Sequence, residues 1–153
     1  MVSLAGFDEH ERQHLLSLPC TSYESSPFVT GTRVSSARVA LVSTAGLHRR
    51  TDRPFGIGET GYRLIPKGVR AGDLVMSHVS TNFDRTGFQQ DLNTVFPIDR
   101  LNELVEEGKI GSLADFHYSF MGATDPVQME DEARSLAAIL KKDRVNVVLL
   151  VPV

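Results

Sequence analysis

DRVNVVLLVPV (residues 143–153) closes the sequence, and its reading decides the fold. Val147 to Val151 form an unbroken apolar run. A short run of aliphatic residues without alternation reads as a strand buried on both faces of a parallel sheet. In open parallel sheets the carboxyl ends of such strands face the ligand site, and a covering helix follows. Here the sequence stops where that site is expected to begin.

The stretch just before it is the clearest helix, DPVQMEDEARSLAAILKKD (125–143). Asp125 suits the N-cap and Pro126 the first helical position. Met129, Ala133, Leu136, Ala137 and Leu140 form one apolar stripe. Acidic residues come early and Lys141 and Lys142 late, which matches the helix dipole. A second helix starts at Pro97, with Ile98, Leu101, Leu104 and Val105 on one face and Gly108 as its stop. RVALVSTAG (38–46) is a strand running into a glycine turn. GYRLIPKG (61–68) reads as a short peripheral strand, and GDLVMSH (72–78) as another. Residues 79–96 read as a polar loop, and the middle of IGSLADFHYSFMG (110–122) as a strand ending in a glycine loop. Strands alternating with helices predict an α/β layered sandwich with a mostly parallel sheet, Rossmann-like or flavodoxin-like.

Two parts are expected. Residues 1–37 comprise a short helix over Phe7 to Leu18, anchored by Phe7, Leu15 and Leu18 and ended by Pro19, then an extended Ser/Thr-rich arm from Cys20 to Ser36. Residues 38–153 form the α/β domain.

Bulk properties narrow the function. A chain of 153 residues with 41% apolar and 23% charged residues is an ordinary globular domain able to bury a core. The net charge is −3, and basic residues are scattered apart from His48-Arg49-Arg50, which argues against a nucleic-acid module. No apolar stretch is long enough to span a bilayer, and no secretory signal opens the chain. A single cysteine, Cys20, excludes an internal disulfide; the expected location is cytoplasmic.

Two motif matches fail on context. HERQH (10–14) fits the H-E-x-x-H zinc pattern, but its neighbours are charged throughout and no third ligand is placed, so a solvated helix is the plainer reading. GIGETG (56–61) fits G-x-G-x-x-G, yet no strand leads directly into it and Pro66, Gly68 and Gly72 follow, so no helix opens to face a pyrophosphate.

The remaining constellation lies between Ser77 and Gly122: Ser77, His78, Asn82, Asp84, Asp91, Asn93, Asp99, Arg100, His117 and Tyr118. His78 stands at the carboxyl end of a strand, where open α/β sheets bind ligands. Each residue also has a purely structural reading. Asp84 and Asp91 suit turns, Asp99 suits the first turn of a helix, and His117 suits a satisfied, partly buried histidine.

RVALVSTAGLH (38–48), VMSHVSTNFDRTGFQQDLNTVFPIDRLNELVEEGKIGSLADFHYSFMGA (75–123) and VNVVLLVPV (145–153) resemble the selenoprotein B family of the glycine, sarcosine, betaine and D-proline reductases. The resemblance covers about Pro27 to Val153, and its S-H…F-D…D-x-N-x-V-F-P-I-D-R-L string is long and specific. It implies a selenocysteine, or a cysteine in its place, directly after the LL-x-P strand, then a second cysteine and a helix. Because UGA encodes selenocysteine and is commonly read as stop, the expectation is a UGA codon after Val153. The implied activity is reductive cleavage of a C–N bond in a small amino acid or amine. The implied partners are a subunit whose pyruvoyl group captures the substrate amine and a thiol or selenol carrier protein; an oligomer is expected, with no cofactor bound by this chain itself. On this resemblance His78, Asp84, Asp91 and His117 take catalytic positions, His78 in proton transfer or orientation. Asp84 and Asp91 would touch a substrate amine or a partner loop. Ser77, Asn82, Asn93, Asp99, Arg100 and Tyr118 would bind substrate or partner. The competing reading is a non-catalytic α/β binding or regulatory module that lacks the nucleophile.

Overall fold

The computed structural model describes residues 4–19, 22, 27–80 and 83–153. Helix α1 (Glu9–Ser17) opens at Asp8, whose Oδ1 accepts the Glu11 N–H at 2.9 Å. It buries no residue, and its expected anchors Phe7, Leu15 and Leu18 are all exposed. Too few apolar positions recur at helical spacing to hold it against a core. The order then runs β1 (Arg38–Ser43), β2 (Leu47–Arg49), β3 (Arg63–Pro66), β4 (Leu74–Met76), α2 (Thr86–Gln90), α3 (Ile98–Glu106), β5 (Ser112–Leu113), β6 (Phe116–Ser119), α4 (Glu130–Lys142) and β7 (Val147–Val151).

The sheet is built around β1, buried from Val39 to Ser43. β5 and β6 lie in succession along one side of β1, and β7 lies along the other; all three run parallel to it. β3 adds an antiparallel edge beside β6. Alternate β1 residues face opposite layers, as strand geometry requires. Val39 and Leu41 pack in a cluster with Ile98 and Leu101 of α3, whereas Ala40 and Val42 pack with Leu136 and Leu140 of α4. The result is the expected α/β layered fold with a mostly parallel sheet. Arg38 ties its lower edge together, donating to the Leu113 carbonyl and pairing with Asp143 at 2.6 Å.

Several elements depart from the sequence reading. β7 pairs with β1 along its whole length, but it is an edge strand and not a doubly buried one. Val148, Leu149 and Leu150 are exposed, Leu150 to 69%. A strand with one neighbour is covered only where a helix overlies it, and the two helices pack chiefly over β1, β5 and β6. β4 does not join the main sheet. It pairs antiparallel with β2, a strand of three residues too short to show a period. The presumed loop 79–96 contains α2 and a 3-10 turn at Leu92–Thr94. Asp125 caps a 3-10 turn over Pro126–Met129, and α4 begins only at Glu130. Leu136 and Leu140 carry that helix's burial, while Ala133 and Ala137 are exposed. On α3, Ile98 and Leu101 are buried and Leu104 is exposed.

Candidate functional site at the strand ends

Three parallel strands finish together, and Thr44 joins them. Its N–H donates to the Val151 carbonyl at 3.1 Å, and its carbonyl accepts the Gly122 N–H at 2.7 Å. Its hydroxyl accepts the Val153 N–H at 2.8 Å and donates to the Val153 carbonyl at 3.2 Å. A cavity of about 250 Å³ opens there, lined by His78, Ser80, Phe83, Gly122, Ala123 and Val153. Gly122 is dictated by this crowding: a Cβ would overlap the Val153 carbonyl oxygen and stand 2.8 Å from that of Thr44.

The β2–β4 ribbon delivers His78 to this place. The Ser77 N–H donates to the Gly46 carbonyl at 2.9 Å, which sets the end of β4 against the turn after β1. Gly46 has φ +65°, and a Cβ on it would stand 3.0 Å from the His78 backbone nitrogen. Both the left-handed backbone and the close approach require glycine.

The imidazole of His78 is buried, and its bonding fixes its tautomer. The Ser80 N–H, which can only donate, points at His78 Nδ1 at 3.3 Å. In the neutral ring the proton therefore sits on Nε2. That atom is buried and has no hydrogen-bond partner among the described residues. Burial lowers the His78 pKa, and the charge of Arg85 lowers it further; the nearby Val153 backbone acts in the opposite direction without reaching hydrogen-bond geometry at Nε2. Phe83 lies against the ring with centroids 5.0 Å apart. At neutral pH His78 is thus an uncharged ring on an otherwise mainly apolar cavity wall, with its Nε2–H sealed from solvent.

The other predicted residues are placed elsewhere. Ser77 is beside His78, but its Oγ donates to His48 Nε2 at 2.7 Å; His48 Nδ1, 2.8 Å from the Arg49 carbonyl, must carry the ring proton. His48 is a buried partner that the sequence reading treated only as part of a basic triplet. Asp84 is exposed and accepts the Thr86 N–H at 2.9 Å; hydrogen bonds from Thr86 hold its carboxyl below the usual range. Asp91 accepts both the backbone and side-chain N–H of Asn93, which lower its pKa. Asn93 donates to Asp99 at 2.9 Å and accepts the Asp99 N–H at 3.0 Å, so these three residues close the turn that starts α3. Arg100 pairs with Glu103 on the surface. Tyr118 is buried edge-on to Tyr62, and burial raises its pKa. His117 is fully buried in the sheet, where its Nδ1 accepts the Leu41 N–H at 3.0 Å. Asn82 and Cys20 lie outside the described residues. Of the two rejected motifs, GIGETG leads into β3 and not into a helix, and His10 and His14 are exposed on α1. Ser80, Phe83, Ala123 and Gly122 line the cavity without having been singled out as site residues; their signal was position, in the segments that follow β4 and β6, and not residue type.

Comparison with known proteins agrees with the resemblance read from the sequence. Residues 68–153 match the model of the glycine/sarcosine/betaine reductase selenoprotein B family. The D-proline reductase subunit gamma of Acetoanaerobium sticklandii is 35% identical over 115 residues, which is 73% of this chain and 47% of that protein. The glycine reductase complex component B subunit gamma of Carboxydothermus hydrogenoformans is 32% identical over 123 residues, 76% of this chain and 28% of the relative. The sarcosine reductase complex component B subunit beta of Peptoclostridium acidaminophilum is 29% identical over 124 residues, with the same coverage of 76% and 28%. The chain spans about half, or less, of the length of these relatives. No solved structure gives a significant match. Among the described residues, no helix is long and apolar enough to cross a membrane.

Proposed function

The chain belongs to the glycine/sarcosine/betaine reductase selenoprotein B family, and from that premise we propose that it builds one wall of the active site of a reductase component B subunit. The substrate class is a small amino acid or amine whose C–N bond is cleaved reductively. The nucleophile is the residue that follows Val153 in the full-length protein, a selenocysteine or cysteine. The observation that carries this reading is the place of His78, a buried neutral imidazole that lines a cavity together with Val153 at the strand ends, its Nε2–H without an acceptor in hydrogen-bond geometry among the described residues.

That donor suits a selenolate or thiolate emerging from the strand end. A neutral N–H stabilises the anion by a hydrogen bond, and among the described residues no carboxylate lines the cavity to oppose ionisation. In the reaction the nucleophile's electron pair forms the bond to carbon while the C–N pair leaves with nitrogen, which takes up a proton. A carrier thiolate or selenolate then attacks the selenium or sulfur of the adduct, and the pair of that bond leaves with carbon, which takes up a proton. A second carrier thiol reduces the mixed bond, freeing the nucleophile and leaving the carrier oxidised. A pyruvoyl group on a partner subunit would supply the electron sink at the substrate nitrogen. His78 orients the nucleophile and supplies or relays the proton; the wall formed by Phe83, Ala123 and Val153 keeps water from the reacting carbon. The cytoplasm, which is reducing, is the compartment that suits this chemistry.

The test uses the full-length protein in its complex. His78→Ala is expected to lower turnover on the order of 10²-fold or more, the scale of a lost general acid or base, with the thermal unfolding midpoint little changed. Brief alkylation followed by peptide mass spectrometry is expected to label the residue after Val153. Wild-type turnover in His78→Ala, or a label confined to other sites, overturns the reading.

A further inference from the structure

The reading of the cavity as an active site leaves open what keeps His78 in one tautomer and pointing one way. The segment that follows β4 has no regular structure as far as Ser80, so its conformation has to be fixed from outside. Arg85, at the start of α2, reaches back across this turn. Its Nη2 donates to the His78 carbonyl at 2.6 Å and to the Ser80 carbonyl at 3.1 Å. Drawing those two carbonyls to one point curls residues 78–80 so that the Ser80 N–H meets His78 Nδ1. The guanidinium carbon also lies 5.9 Å from the centre of the Phe83 ring, whose tilted neighbour is the imidazole, 5.0 Å away. One side chain thus braces the backbone of the turn and the ring that backs His78.

We infer that Arg85 is a positioning residue for His78: by clamping the His78 and Ser80 carbonyls it holds the imidazole in its Nε2–H tautomer, with the ring set in the cavity wall beside Val153. The inference rests on the active-site reading above, because the cavity gives the Nε2–H its purpose. Arg85 also acts on charge. Among the described residues it is the cation whose field reaches the ring; the other groups around His78 are the Val153 backbone, Ser80, Phe83 and the Gly46 turn, and in the full-length protein the proposed selenolate or thiolate after Val153, which acts in the opposite sense. A positive charge at this place disfavours imidazolium, so it keeps the donor neutral as the pH falls.

The experiment follows the C2 hydrogen exchange of His78 by mass spectrometry across pH in the full-length protein, which reads the ring's protonation midpoint directly. Arg85→Met keeps the apolar stem against Phe83 and removes charge and donors. It is expected to raise the His78 proton affinity at least threefold and to move the acidic limb of the turnover profile up with it. Arg85→Lys, which restores the charge, is expected to return the midpoint to within about twofold of wild type. Arg85→Gln, neutral but still a donor to the carbonyls, separates clamp from charge. Its midpoint is expected to move as in Arg85→Met, while the ring-nitrogen NMR shifts of its His78 keep the wild-type Nε2–H pattern that Arg85→Met loses. A wild-type tautomer pattern in Arg85→Met overturns the clamp, and the Gln midpoint tests the charge if the Met variant does not fold. An unmoved His78 midpoint in a folded neutral variant overturns the inference. That outcome is distinct from failure of the active-site reading, which shows as wild-type turnover in His78→Ala while the midpoint still responds to Arg85.

Discussion

Leu41 and His117 meet where the strand beside β1 is broken. β5 ends at Leu113 and β6 begins at Phe116, and between the two paired segments Leu41 donates to a side chain, His117 Nδ1, at 3.0 Å. A buried N–H left unpaired costs about 1–3 kcal/mol, so the imidazole serves here as a piece of sheet. Accepting at Nδ1 requires the proton on Nε2, and burial, with lesser contributions from Lys67 and Arg38, lowers the pKa to about 4. The unfolded chain binds a proton near pH 6.5 while the native ring stays neutral. Stability from this residue is therefore intact above about pH 6.5 and falls as pH drops towards 4, by roughly 3 kcal/mol in all. His117→Asn keeps an oxygen where Nδ1 stood and has nothing to titrate; it is expected to flatten the dependence of unfolding free energy on pH between 6.5 and 4. His117→Ala is expected to cost a further 1–3 kcal/mol at pH 7, at the scale of the orphaned Leu41 N–H. Urea titrations of the three proteins at several pH values check both. An Asn variant with the full wild-type slope would remove His117 as its cause.

Strand ends are the elements on which the site depends, and the loop after β6 is the most constrained of them. Gly122→Ala forces a methyl group into the Val153 and Thr44 carbonyl oxygens, so either that loop or the end of β7 must move. Faster amide exchange over residues 147–153 and a lowered unfolding midpoint are expected; unchanged exchange there would mean that the crowding is relieved elsewhere. The same elements show what a sequence can reveal. β1, β3, α3 and α4 announce themselves through apolar period, Asp125-Pro126 and Gly108, all local signals. The parallel pairing of β7 was legible in its composition, but its exposure was not, because burial depends on neighbours that no single strand encodes. β4 was legible as a strand but its pairing was not, because β2 has three residues, too few for a period, and the His48–Ser77 bond spans 29 positions. In the polar stretch, turn chemistry and site chemistry use the same residues. The side chains of Asp84, Asp91 and Asn93 accept backbone N–H groups within six positions of themselves, and the Asp99 carboxylate accepts the Asn93 side-chain N–H, which is the structural reading that spacing had left open. His78 was legible because it follows a strand; the apolar wall around it was not.

The molecule as a whole is asymmetric about β1. On one side the sheet continues through β5, β6 and β3; on the other it stops at β7, whose hydrogen-bonding edge has no partner strand among the described residues. Five consecutive apolar residues carry no charge or proline to guard that edge, and Pro152 comes only after the pairing ends. By register with β1, Val148 and Leu150 lie on the α4 face and Leu149 on the α3 face, so apolar surface shows on both sides of the strand. An apolar groove of about 300 Å³ lined by Val42, Thr44, Leu150, Val151 and Pro152 extends it. Unguarded edges of this kind template pairing with another chain. A polypeptide of residues 1–153 alone, the short form, is therefore expected to self-associate at micromolar concentration. Leu150→Lys, which places a charge on the exposed strand without touching the buried face of β1, is expected to shift the short form towards monomer. Sedimentation velocity over a concentration series reads the outcome; a monomeric wild-type short form would show that β7 is sufficiently protected by its own twist and neighbours.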